Sequence, residues 1–556
     1  MQNLRNSSSD ISSWFLLLLI VSVTGCGGGA NKSQTSSVAS SSVSNIISSA
    51  ASSTALVLLS GTATYDYVPH KNNNIGLNYP ATEQRPIRGA TIEVLSESDV
   101  ILAVSRTASD GSYSFSVPAN TLVKIRVKAE LLNNMSPSWN FKVTDNTNNN
   151  ALYVLVGSLT STGGADSQRM LNAASGWGGS SYLFARAAAP FAILDDIYIG
   201  VMRLNQAGNN RDYKPLELRW STKNNEADGV YALGEIGTTF YDVDAIYILG
   251  DANNDTDEFD GHVILHEWGH YIEEVLSRSD SMGGEHSDGE KLDMRLAMSE
   301  GFANAFSAMM LDNPIYADTS GSAQSSGFAI NISNKVRSAK GFFSEGSVGA
   351  IFYNYYNSSN NKTANDFAPI FFVLSNSNYL LHDTLTTIFL FYGQLKALLS
   401  DQAAEFNSLM LEQNINGIDE YGTNEINNGD LTASLPIYKE INPDNVVTNV
   451  CSSSRFGTVN KLGNSQFLKL AISQDGAYFI NAAISGDSGT ISKPEIIIHN
   501  KGNSLLKLEN ATNNAVNGTV SLSNGNYILE VYDLSNINPT NSQVNTLCFD
   551  VQVIAN

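Results

Sequence analysis

The chain has 556 residues and a formal net charge of −22, from 32 Lys and Arg against 54 Asp and Glu. This acidic balance argues against nucleic acid as a partner, because phosphate binding needs a basic surface. Hydrophobic residues make up 42% of the chain, which is enough for globular cores, and the length predicts about three or four domains.

The N-terminal segment has the features of an export signal. Residues 14–23 form an apolar run of about ten residues, which is too short to cross a bilayer and is typical of a signal peptide. The sequence VTGC, ending at Cys26, follows it and resembles the bacterial lipoprotein box. The resemblance implies that residues 1–25 are removed, that Cys26 carries a lipid, and that the protein is exported to the outer membrane or cell surface. An ordinary secreted protein is the alternative.

Residues 26–55 form a Ser/Gly-rich tract without apolar periodicity. Such a composition predicts a flexible tether, which a lipid-anchored protein needs to keep its folded part clear of the membrane. No later segment of the sequence is apolar over the length that a membrane-crossing helix requires.

Residues 56–158 show the alternation that is typical of strands. The segments 57–65, 90–95 and 122–128 alternate apolar and polar residues, and an Asp-Gly turn at 110–111 leads into a further alternating strand. The stretches RPIRGATIEVL and TASDGSYSFSVP resemble the transthyretin-like, carboxypeptidase-regulatory type of module. The resemblance implies a β-sandwich that accompanies exported enzymes and carries no chemistry of its own.

Residues 160–435 change to helical patterns with long polar connections, which predicts an α+β, mainly helical domain. The predicted helices span residues 187–204, 260–277, 293–311, 347–356 and 383–399.

Residues 440–556 return to short strands punctuated by Asn and Gly, which predicts a C-terminal β-sandwich. The stretch SNGNYILEVYD resembles a strand of the pre-peptidase C-terminal module that many secreted proteases carry. Cys451 and Cys548 are the two thiols left over in a chain with an export signal, and they predict a disulfide. Two buried free thiols are the alternative.

Residues 261–274, with the sequence GHVILHEWGHYIEE, indicate a metal site, because His266 and His270 are two of only 7 histidines. The apolar residues around them predict a helix that begins after Asp260. Positions four apart lie on one face of a helix, about 5–6 Å from each other, so the two imidazoles can bind one cation. Glu267 can reach a water molecule bound to that cation.

A second predicted helix, residues 292–310, is largely apolar or small and has Glu300 in its middle. A carboxylate buried there without a partner costs several kcal/mol, and a zinc ion is a partner that makes its burial tolerable. Two imidazoles and one carboxylate, with water in the fourth position, form a known catalytic zinc set.

This pattern resembles the gluzincin metallopeptidases, which have HExxH followed by a glutamate ligand on a later helix. The stretch MSEGFANAF is similar to the glutamate-bearing helix of thermolysin-like and fungalysin-like enzymes. The resemblance implies a zincin-type domain with His266, His270 and Glu300 as zinc ligands and Glu267 as the general base. These families usually have an aspartate four residues after the ligand glutamate, in the second shell of the metal. Asn304 stands there, and as a neutral group it raises the basicity of a ligand histidine less.

A hydrolase of this type also needs a donor for the developing oxyanion besides the metal. His382 is the first candidate, because it is a lone histidine that precedes a predicted helix well after the ligands. The rivals are three tyrosines of one short stretch, Tyr353, Tyr355 and Tyr356.

Two further histidines lie near the motif in the sequence. His286, in a Gly/Ser/Asp loop between the two site helices, is the rival third ligand. Glu300 is preferred, because its helix has no other reason to bury a charge. His262 is predicted to lie at the solvated start of the first helix.

The acidic run at residues 251–260 has some features of a calcium loop. Its alternating oxygen-bearing residues are Asp251, Asn253, Asp255 and Asp257. Thr256 stands where such a loop needs glycine, and His262 stands where it needs the closing glutamate. A solvated acidic loop is therefore favoured over bound Ca²⁺, to which Asp280 and Asp288 could also contribute.

These features together predict a multidomain protein: a β-sandwich at 56–158, an α+β, mainly helical zincin-type metallopeptidase domain at 160–435, and a C-terminal β-sandwich at 440–556. The predicted function is a surface-anchored zinc metalloendopeptidase that hydrolyses protein or peptide substrates, with Glu267 as general base. The strand at 244–250 is expected to be an edge strand that pairs with an extended substrate. The alternatives are a lipoprotein adhesin or binding protein with a vestigial metal site, and a zinc hydrolase that acts on something other than peptides.

Overall fold

The structure is a computed structural model that describes residues 55–358, 367–486, 492–509, 511–512, 514–538, 540 and 543–556. The predicted signal peptide, the tether up to residue 54 and Cys26 lie outside the described residues. Within these ranges, no helix combines the length and the apolar character that crossing a membrane requires.

Among the described residues, strands account for 36% and helices for 22%. The strands of the first part are β1 (Leu56–Tyr67), β2 (Glu83–Pro86), β3 (Ala90–Ser96), β4 (Ile101–Arg106), β5 (Ser112–Pro118), β6 (Leu122–Asn133), β7 (Trp139–Asp145), β8 (Ala151–Leu152), β9 (Val154–Val156), β10 (Thr160–Ser161), β11 (Ser167–Gln168) and β12 (Leu171–Ala173). The strands of the middle part are β13 (Leu216–Trp220), β14 (Phe240–Asp242), β15 (Ala245–Ile248), β16 (Gly250–Asp251), β17 (Asp255–Thr256), β18 (Ile315–Ser320) and β19 (Ser326–Asn331). The strands of the last part are β20 (Tyr438–Ile441), β21 (Thr448–Ser453), β22 (Ser465–Ile472), β23 (Gly476–Ile484), β24 (Pro494–Asn500), β25 (Asn503–Leu508), β26 (Ala515–Leu522), β27 (Gly525–Asp533) and β28 (Thr546–Ala555).

The α-helices of the described residues lie between the first and the last group of strands. They are α1 (Ala189–Gln206), α2 (Gly261–Leu276), α3 (Met294–Leu311), α4 (Glu345–Tyr356), α5 (Ala368–Leu374), α6 (Ser377–Leu380), α7 (Ile388–Leu398) and α8 (Ala403–Glu412). Short 3₁₀ helices lie at Tyr79–Ala81, Tyr231–Leu233, Ser322–Gln324, Thr432–Ser434 and Leu534–Asn536.

The largest sheet overturns the predicted fold class. Its strand order is β14-β15-β13-β7-β6-β3-β4, with β8 paired to β7 and with β9 and β10 paired to β6. Strands β7 and β13 run parallel, with Phe141 opposite Leu216. The expected series of a β-sandwich, a mainly helical zincin-type domain and a second sandwich is therefore wrong, because strands from the predicted helical region belong to a sheet that begins before it. The described chain is instead mostly β, with five sheets.

The helical prediction failed for a physical reason. The segments of β13 and β15, LELRW and AIYI, are only five and four residues long. Segments of that length do not show which sheet they join, even where strand character is predicted, as it is for 244–250. β13 joins the sheet by pairing with β7, a neighbour that lies far away in the sequence, and β15 joins it by pairing with β13.

Helices α1 and α2 pack on this sheet and share one apolar core with it. The Trp268 ring of α2 is fully buried, and its centroid lies 6.2 Å from that of Phe141 in β7. Helix α1 crosses Trp268 at Gly200, where an added Cβ would lie 2.2 Å from the indole. Any side chain at this position would clash with the ring, so glycine is required for the close approach of α1 and α2.

The last part of the chain forms two sheets, with the orders β20-β22-β27-β24-β25 and β21-β28-β23-β26. They enclose a second apolar cluster that contains Val450, Leu468, Leu529 and Phe549, each fully buried. Two facing sheets with a shared apolar core form a β-sandwich. The predicted disulfide is confirmed: Cys451 of β21 is bonded to Cys548 of β28, and the two residues are opposite each other in the register.

Candidate metal centre

Helix α2 carries His266 and His270 on one face. It begins at Gly261, as the sequence predicts, with Asp260 at the N-cap position. The Asp260 carboxylate does not cap the helix, because its Oδ2 accepts hydrogen bonds from the N–H and the hydroxyl of Thr319 in β18, at 2.9 and 2.8 Å. Since Asp260 is fully buried, these bonds fix the start of α2 against β18.

Helix α3 lies against α2 and brings Glu300 to the two histidines. Nearly all of its residues are buried, which is the pattern of a helix enclosed by protein on every side. The two helices approach closely at Gly269, where an added Cβ would lie 3.3 Å from the Cα of Ala303. Small residues at this crossing therefore allow the polar side chains on the facing surfaces to meet.

Three side-chain donor atoms form a nearly equilateral triangle between α2 and α3. Nε2 of His266 lies 3.2 Å from Nε2 of His270 and 3.2 Å from Oε2 of Glu300, and Nε2 of His270 lies 3.3 Å from the same oxygen. His266 and Glu300 are only 8% and 6% exposed. The structure thus brings together the three residues that the sequence predicts as metal ligands.

Burial and mutual charge act in opposite directions on Glu300 and His270. Burial alone would raise the pKa of Glu300, but the charge of His270 and hydrogen bonds to His266, His270 and His286 hold it well below its usual range. Burial alone would lower the pKa of His270, but the charge of Glu300 and a hydrogen bond to Glu273 hold it well above. The two side chains therefore attract each other as an ion pair, and binding of a metal would require His270 to release its proton.

Each histidine has a second partner on its other ring nitrogen. Nδ1 of His266 lies 3.1 Å from Oδ1 of Asn304. Nδ1 of His270 lies 3.4 Å from Oε2 of Glu273, which also accepts the hydroxyl of Ser299 at 2.6 Å. Glu273 is 3% exposed and was not among the residues predicted from sequence. The sequence feature that could have indicated Glu273 is its i, i+3 spacing from His270, which places both residues on one helix face.

Glu267 lies next to the edge of the large sheet. Its Oε2 accepts a hydrogen bond from the backbone N–H of Tyr241 in β14, at 2.8 Å. β14 is the terminal strand of that sheet, whereas β15 pairs on both sides, with β13 and β14. The expectation that the strand at 244–250 forms the edge is therefore wrong, and the strand just before it has that position.

His286 is a fourth group at the triangle. Its Nε2 lies 3.2 Å from Oε2 of Glu300, and its Nδ1 lies 2.7 Å from Oε2 of Glu345 at the start of α4. Burial alone would lower the pKa of His286, but hydrogen bonds to the two carboxylates raise it to about 10. Donor atoms of His266, His270 and Glu300 all lie within 4.8 Å of one another. His286 is not part of this set and lies next to it.

The structure does not bring His382 to the triangle. Its Nδ1 lies 2.9 Å from the hydroxyl of Thr384, and its Nε2 lies 3.8 Å from Oε1 of Glu420. The rival tyrosines are buried in α4, where the Tyr356 hydroxyl donates to Oδ1 of Asp312 at 3.1 Å. These tyrosines are Tyr353, Tyr355 and Tyr356.

Two expectations about solvated residues near α2 are wrong. His262 is 3% exposed, its Nε2 lies 3.0 Å from the carbonyl oxygen of Asn313, and burial lowers its pKa to about 4. In the acidic run, Asp257 is 2% exposed and Asp260 is fully buried. The second half of the run is enclosed because it follows β17, which pairs with β18, and leads directly into α2.

No protein-family model matches the chain, and no curated protein matches it. Among solved structures, the chain is similar to the pre-peptidase C-terminal domain of collagenase from Bacillus anthracis, with 14% identity over 21% of this chain and 93% of that chain and a TM-score of 0.16. It is also similar to PliG of Aeromonas hydrophila, a periplasmic lysozyme inhibitor of g-type lysozyme, with 10% identity over 21% and 97% and a TM-score of 0.14. At such low TM-scores, neither similarity carries an argument about fold or function.

Proposed function

We propose that the chain is a zinc-dependent endopeptidase with the gluzincin-type ligand set of two histidines and a glutamate. The observation that supports this proposal is the triangle of Nε2 of His266, Nε2 of His270 and Oε2 of Glu300, with sides of 3.2, 3.2 and 3.3 Å. The three donor atoms come from two helices and surround one position between them. Hydrogen bonds among neutral side chains would not require three donors to share one position.

The donor set suits zinc better than harder cations. Imidazole nitrogens bind zinc readily, whereas calcium and magnesium take oxygen ligands. Two ligands on tetrahedral zinc, with bonds of about 2.0–2.2 Å, lie about 3.3–3.6 Å apart, close to the separations of 3.2–3.3 Å between these donors. Three protein ligands leave one position for water, which distinguishes a catalytic from a structural zinc site.

The side chains around the triangle have distinct parts in hydrolysis. When bound, zinc would lower the pKa of a coordinated water toward about 7 and polarise the peptide carbonyl. Glu267 takes a proton from the attacking water and then delivers it to the leaving amine. The Tyr241 N–H, at 2.8 Å, orients the Glu267 carboxylate. Asn304 and Glu273 orient the two imidazoles, so that each ring presents Nε2 to the metal.

His286 is proposed as the donor to the developing oxyanion, in place of His382. Its ring lies beside the triangle, and Glu345 holds its Nδ1 at 2.7 Å, which fixes the direction of Nε2. A preoriented donor next to the metal is what stabilisation of an oxyanion requires. The ring of His382 contacts Thr384 and Glu420 and is not beside the triangle.

A peptide substrate is supported by the position of β14. This strand ends the large sheet next to Glu267, and an extended peptide can add to such an edge through backbone hydrogen bonds. The reacting carbonyl would then lie near the proposed general base. This arrangement favours a peptide over a substrate without an extended backbone.

The test uses the full chain with matched variants. We expect the purified wild type to contain one zinc per chain and to cleave a mixed pool of unfolded proteins in a chelator-sensitive way. Glu267→Gln should keep zinc and lose cleavage by about 10²-fold or more, because only proton transfer is removed. Glu300→Ala should lose both zinc and cleavage.

The outcomes separate the alternatives. A folded wild type that binds no zinc would contradict the proposal and would favour an adhesin or binding protein with a vestigial site. Stoichiometric zinc without cleavage of any protein in the pool would favour a zinc hydrolase that acts on other substrates. Glu274→Gln is the matched control, because its carboxylate contacts Lys214 at 2.9 Å and the hydroxyl of Tyr241 at 2.7 Å instead of the triangle.

We also propose that the protein is an exported bacterial lipoprotein anchored through Cys26 at the outer membrane or cell surface. The VTGC sequence supports this proposal. Metabolic labelling with a fatty acid, compared between the wild type and Cys26→Ser, tests it. Equal label in both would contradict lipidation at this residue.

A further inference from the structure

A second cluster of acidic side chains lies on strands β17 and β18. Asp255 of β17, Asp257 just after it and Asp318 of β18 each place a carboxylate oxygen within 4.8 Å of the other two. The two strands are antiparallel neighbours, with Asp255 opposite Ser320. Tertiary structure therefore adds a third carboxylate to two that are close in the sequence.

Asp257 is buried with one oxygen that has no partner. The residue is 2% exposed, and its Oδ1 is buried without a hydrogen bond. The other oxygen, Oδ2, accepts the hydroxyl proton of Thr239, whose own oxygen accepts the N–H of Leu249 at 2.9 Å. These two bonds hold the Asp257 carboxylate in one orientation. A buried carboxylate oxygen left without a donor or cation is strongly unfavourable. The unpaired Oδ1 therefore indicates that a further group binds to it.

The other members of the cluster also lack a neutralising group. Oδ1 of Asp255 is buried and without a hydrogen-bond partner as well. None of the ion pairs in the described part of the chain includes Asp255, Asp257 or Asp318, and the neighbouring Asp260 pairs with His70. Three carboxylates are thus close together without a basic side chain to offset their charge.

The electrostatics of the cluster agree with this geometry. Burial, together with repulsion from Asp260 and Glu226, raises the pKa of Asp255 to about 7. Burial and repulsion from the same carboxylates and Asp255 raise the pKa of Asp318 to about 8. Such a cluster is stable only if protons or a cation neutralise it.

We propose that Asp255, Asp257 and Asp318 bind a calcium ion. The donors are all carboxylate oxygens, which hard cations prefer. Calcium takes 6–8 oxygens in flexible geometry, and Asp255 and Asp318 are partly exposed, so water can complete its coordination. Magnesium demands a near-ideal octahedron, which suits a cluster built from two strands less well.

This site differs from the calcium loop considered from the sequence. Asp251 and Asn253 do not belong to the cluster, and Oδ1 of Asp251 accepts the N–H of Asn253 at 3.0 Å in a local turn. A calcium ion on the three aspartates would bridge β18 and the segment that leads into α2. It would thereby stabilise the entry to the helix that carries His266.

The test measures calcium binding by the full chain, to which one equivalent of zinc is added after the chelator has been removed. After treatment with EGTA and buffer exchange, calorimetric titration with Ca²⁺ should show one site per chain, and Tb³⁺ should bind with tyrosine-sensitised luminescence. Calcium should also raise the thermal unfolding midpoint. Asp257→Asn and Asp318→Asn should each weaken binding by about tenfold or more, because affinity depends on the number of charged ligands.

The Asp318→Asn variant distinguishes loss of a calcium ligand from loss of the folded structure. In zinc-loaded, calcium-free buffer without chelator it should unfold at a higher temperature than the wild type, since repulsion within the cluster is reduced, and calcium should no longer raise its midpoint. Asp251→Asn is the matched control and should bind calcium like the wild type. Absence of calcium and terbium binding by folded wild type would overturn the proposal. Loss of binding in Asp251→Asn alone, or tighter binding of Mg²⁺ than of Ca²⁺, would overturn the placement or the choice of ion.

Discussion

The guanidinium of Arg295 donates two hydrogen bonds to the carboxylate of Glu530, at 2.9 and 2.7 Å, although 235 residues separate them in the chain. Arg295 lies in the first turn of α3, the helix that carries Glu300, and Glu530 lies in β27 of the C-terminal sandwich. Glu530 also lies 2.8 Å from Nε2 of His499. This buried network ties the helix of the candidate metal centre to the last sheets of the chain.

The first prediction concerns the acid stability that Glu530 contributes. Burial alone would raise its pKa, but Arg295 and His499 hold that pKa well below the usual range. A carboxylate whose pKa is lower in the folded state stabilises the fold fully above its unfolded pKa of about 4.5, and this contribution is lost as the pH falls further. Denaturant unfolding from pH 7 to pH 3 should show this loss for the wild type.

The Glu530→Gln variant should show a weaker pH dependence and be less stable at pH 7 by about 1.5–3 kcal/mol, because the buried guanidinium loses charged hydrogen bonds to Glu530 and keeps those to Asp293. Glu440→Gln is a control, since that carboxylate is 67% exposed and pairs with Lys469 at 3.5 Å. An exposed pair contributes about 0–1 kcal/mol. Equal acid sensitivity of the wild type and Glu530→Gln would contradict the assignment.

The second prediction concerns Asn304, whose Oδ1 lies 3.1 Å from Nδ1 of His266. If His266 binds zinc, removing this acceptor in Asn304→Leu should weaken zinc affinity by about 10–100-fold. Asn304→Asp places a charged acceptor at the same position and should tighten it, because a carboxylate makes the imidazole a stronger ligand. Competition with a chromogenic chelator measures both. If both variants bind zinc like the wild type, Asn304 does not orient a ligand.

A third prediction separates Glu273 from its neighbour in the sequence. Glu273 is 3% exposed and lies 3.4 Å from Nδ1 of His270, whereas Glu274 faces Lys214. Glu273→Gln should lower zinc affinity by about tenfold or more, and Glu274→Gln should leave it unchanged. Equal effects of the two substitutions would show that general negative charge, and not contact with His270, matters at this site.

The fourth prediction distinguishes an open zinc site from a closed one. If His286 is a donor beside a three-ligand set, His286→Ala should retain stoichiometric zinc and lose about 10²–10³-fold in the rate of peptide cleavage. His382→Ala should retain both zinc and activity, since its ring contacts Thr384 and Glu420. Loss of zinc in His286→Ala to the extent seen in Glu300→Ala would indicate four protein ligands and a structural site.

Local sequence patterns predicted the two site helices well. The helices expected at 260–277 and 293–311 are α2 at Gly261–Leu276 and α3 at Met294–Leu311. Both are long, carry periodic or continuous apolar residues and begin directly after an aspartate, and such segments have strong local signals. The i, i+4 spacing of His266 and His270 likewise implied that their rings share one face, and their Nε2 atoms are 3.2 Å apart.

Such local patterns could not predict contacts between segments that are far apart in the sequence. The backbone N–H of Tyr241, the carboxylate of Glu345 and Asp318 each meet a site residue only because β14, α4 and β18 pack against it. Their sequence neighbourhoods give no sign of these partners. The placement of His262 in solvent failed for the same reason, because burial by a distant segment is a property of packing.

The sequence by itself determined where the helices of the candidate centre begin and end, which two imidazoles share a helix face, and which two cysteines were available for the disulfide. These properties follow from local periodicity, spacing and composition, which act over one or a few turns. Only the tertiary structure decided that β13 and β15 join the sheet of the N-terminal strands, and which carboxylates surround the histidines and Asp257. Those outcomes depend on pairing and packing between segments that are far apart in the chain, and no local pattern encodes them.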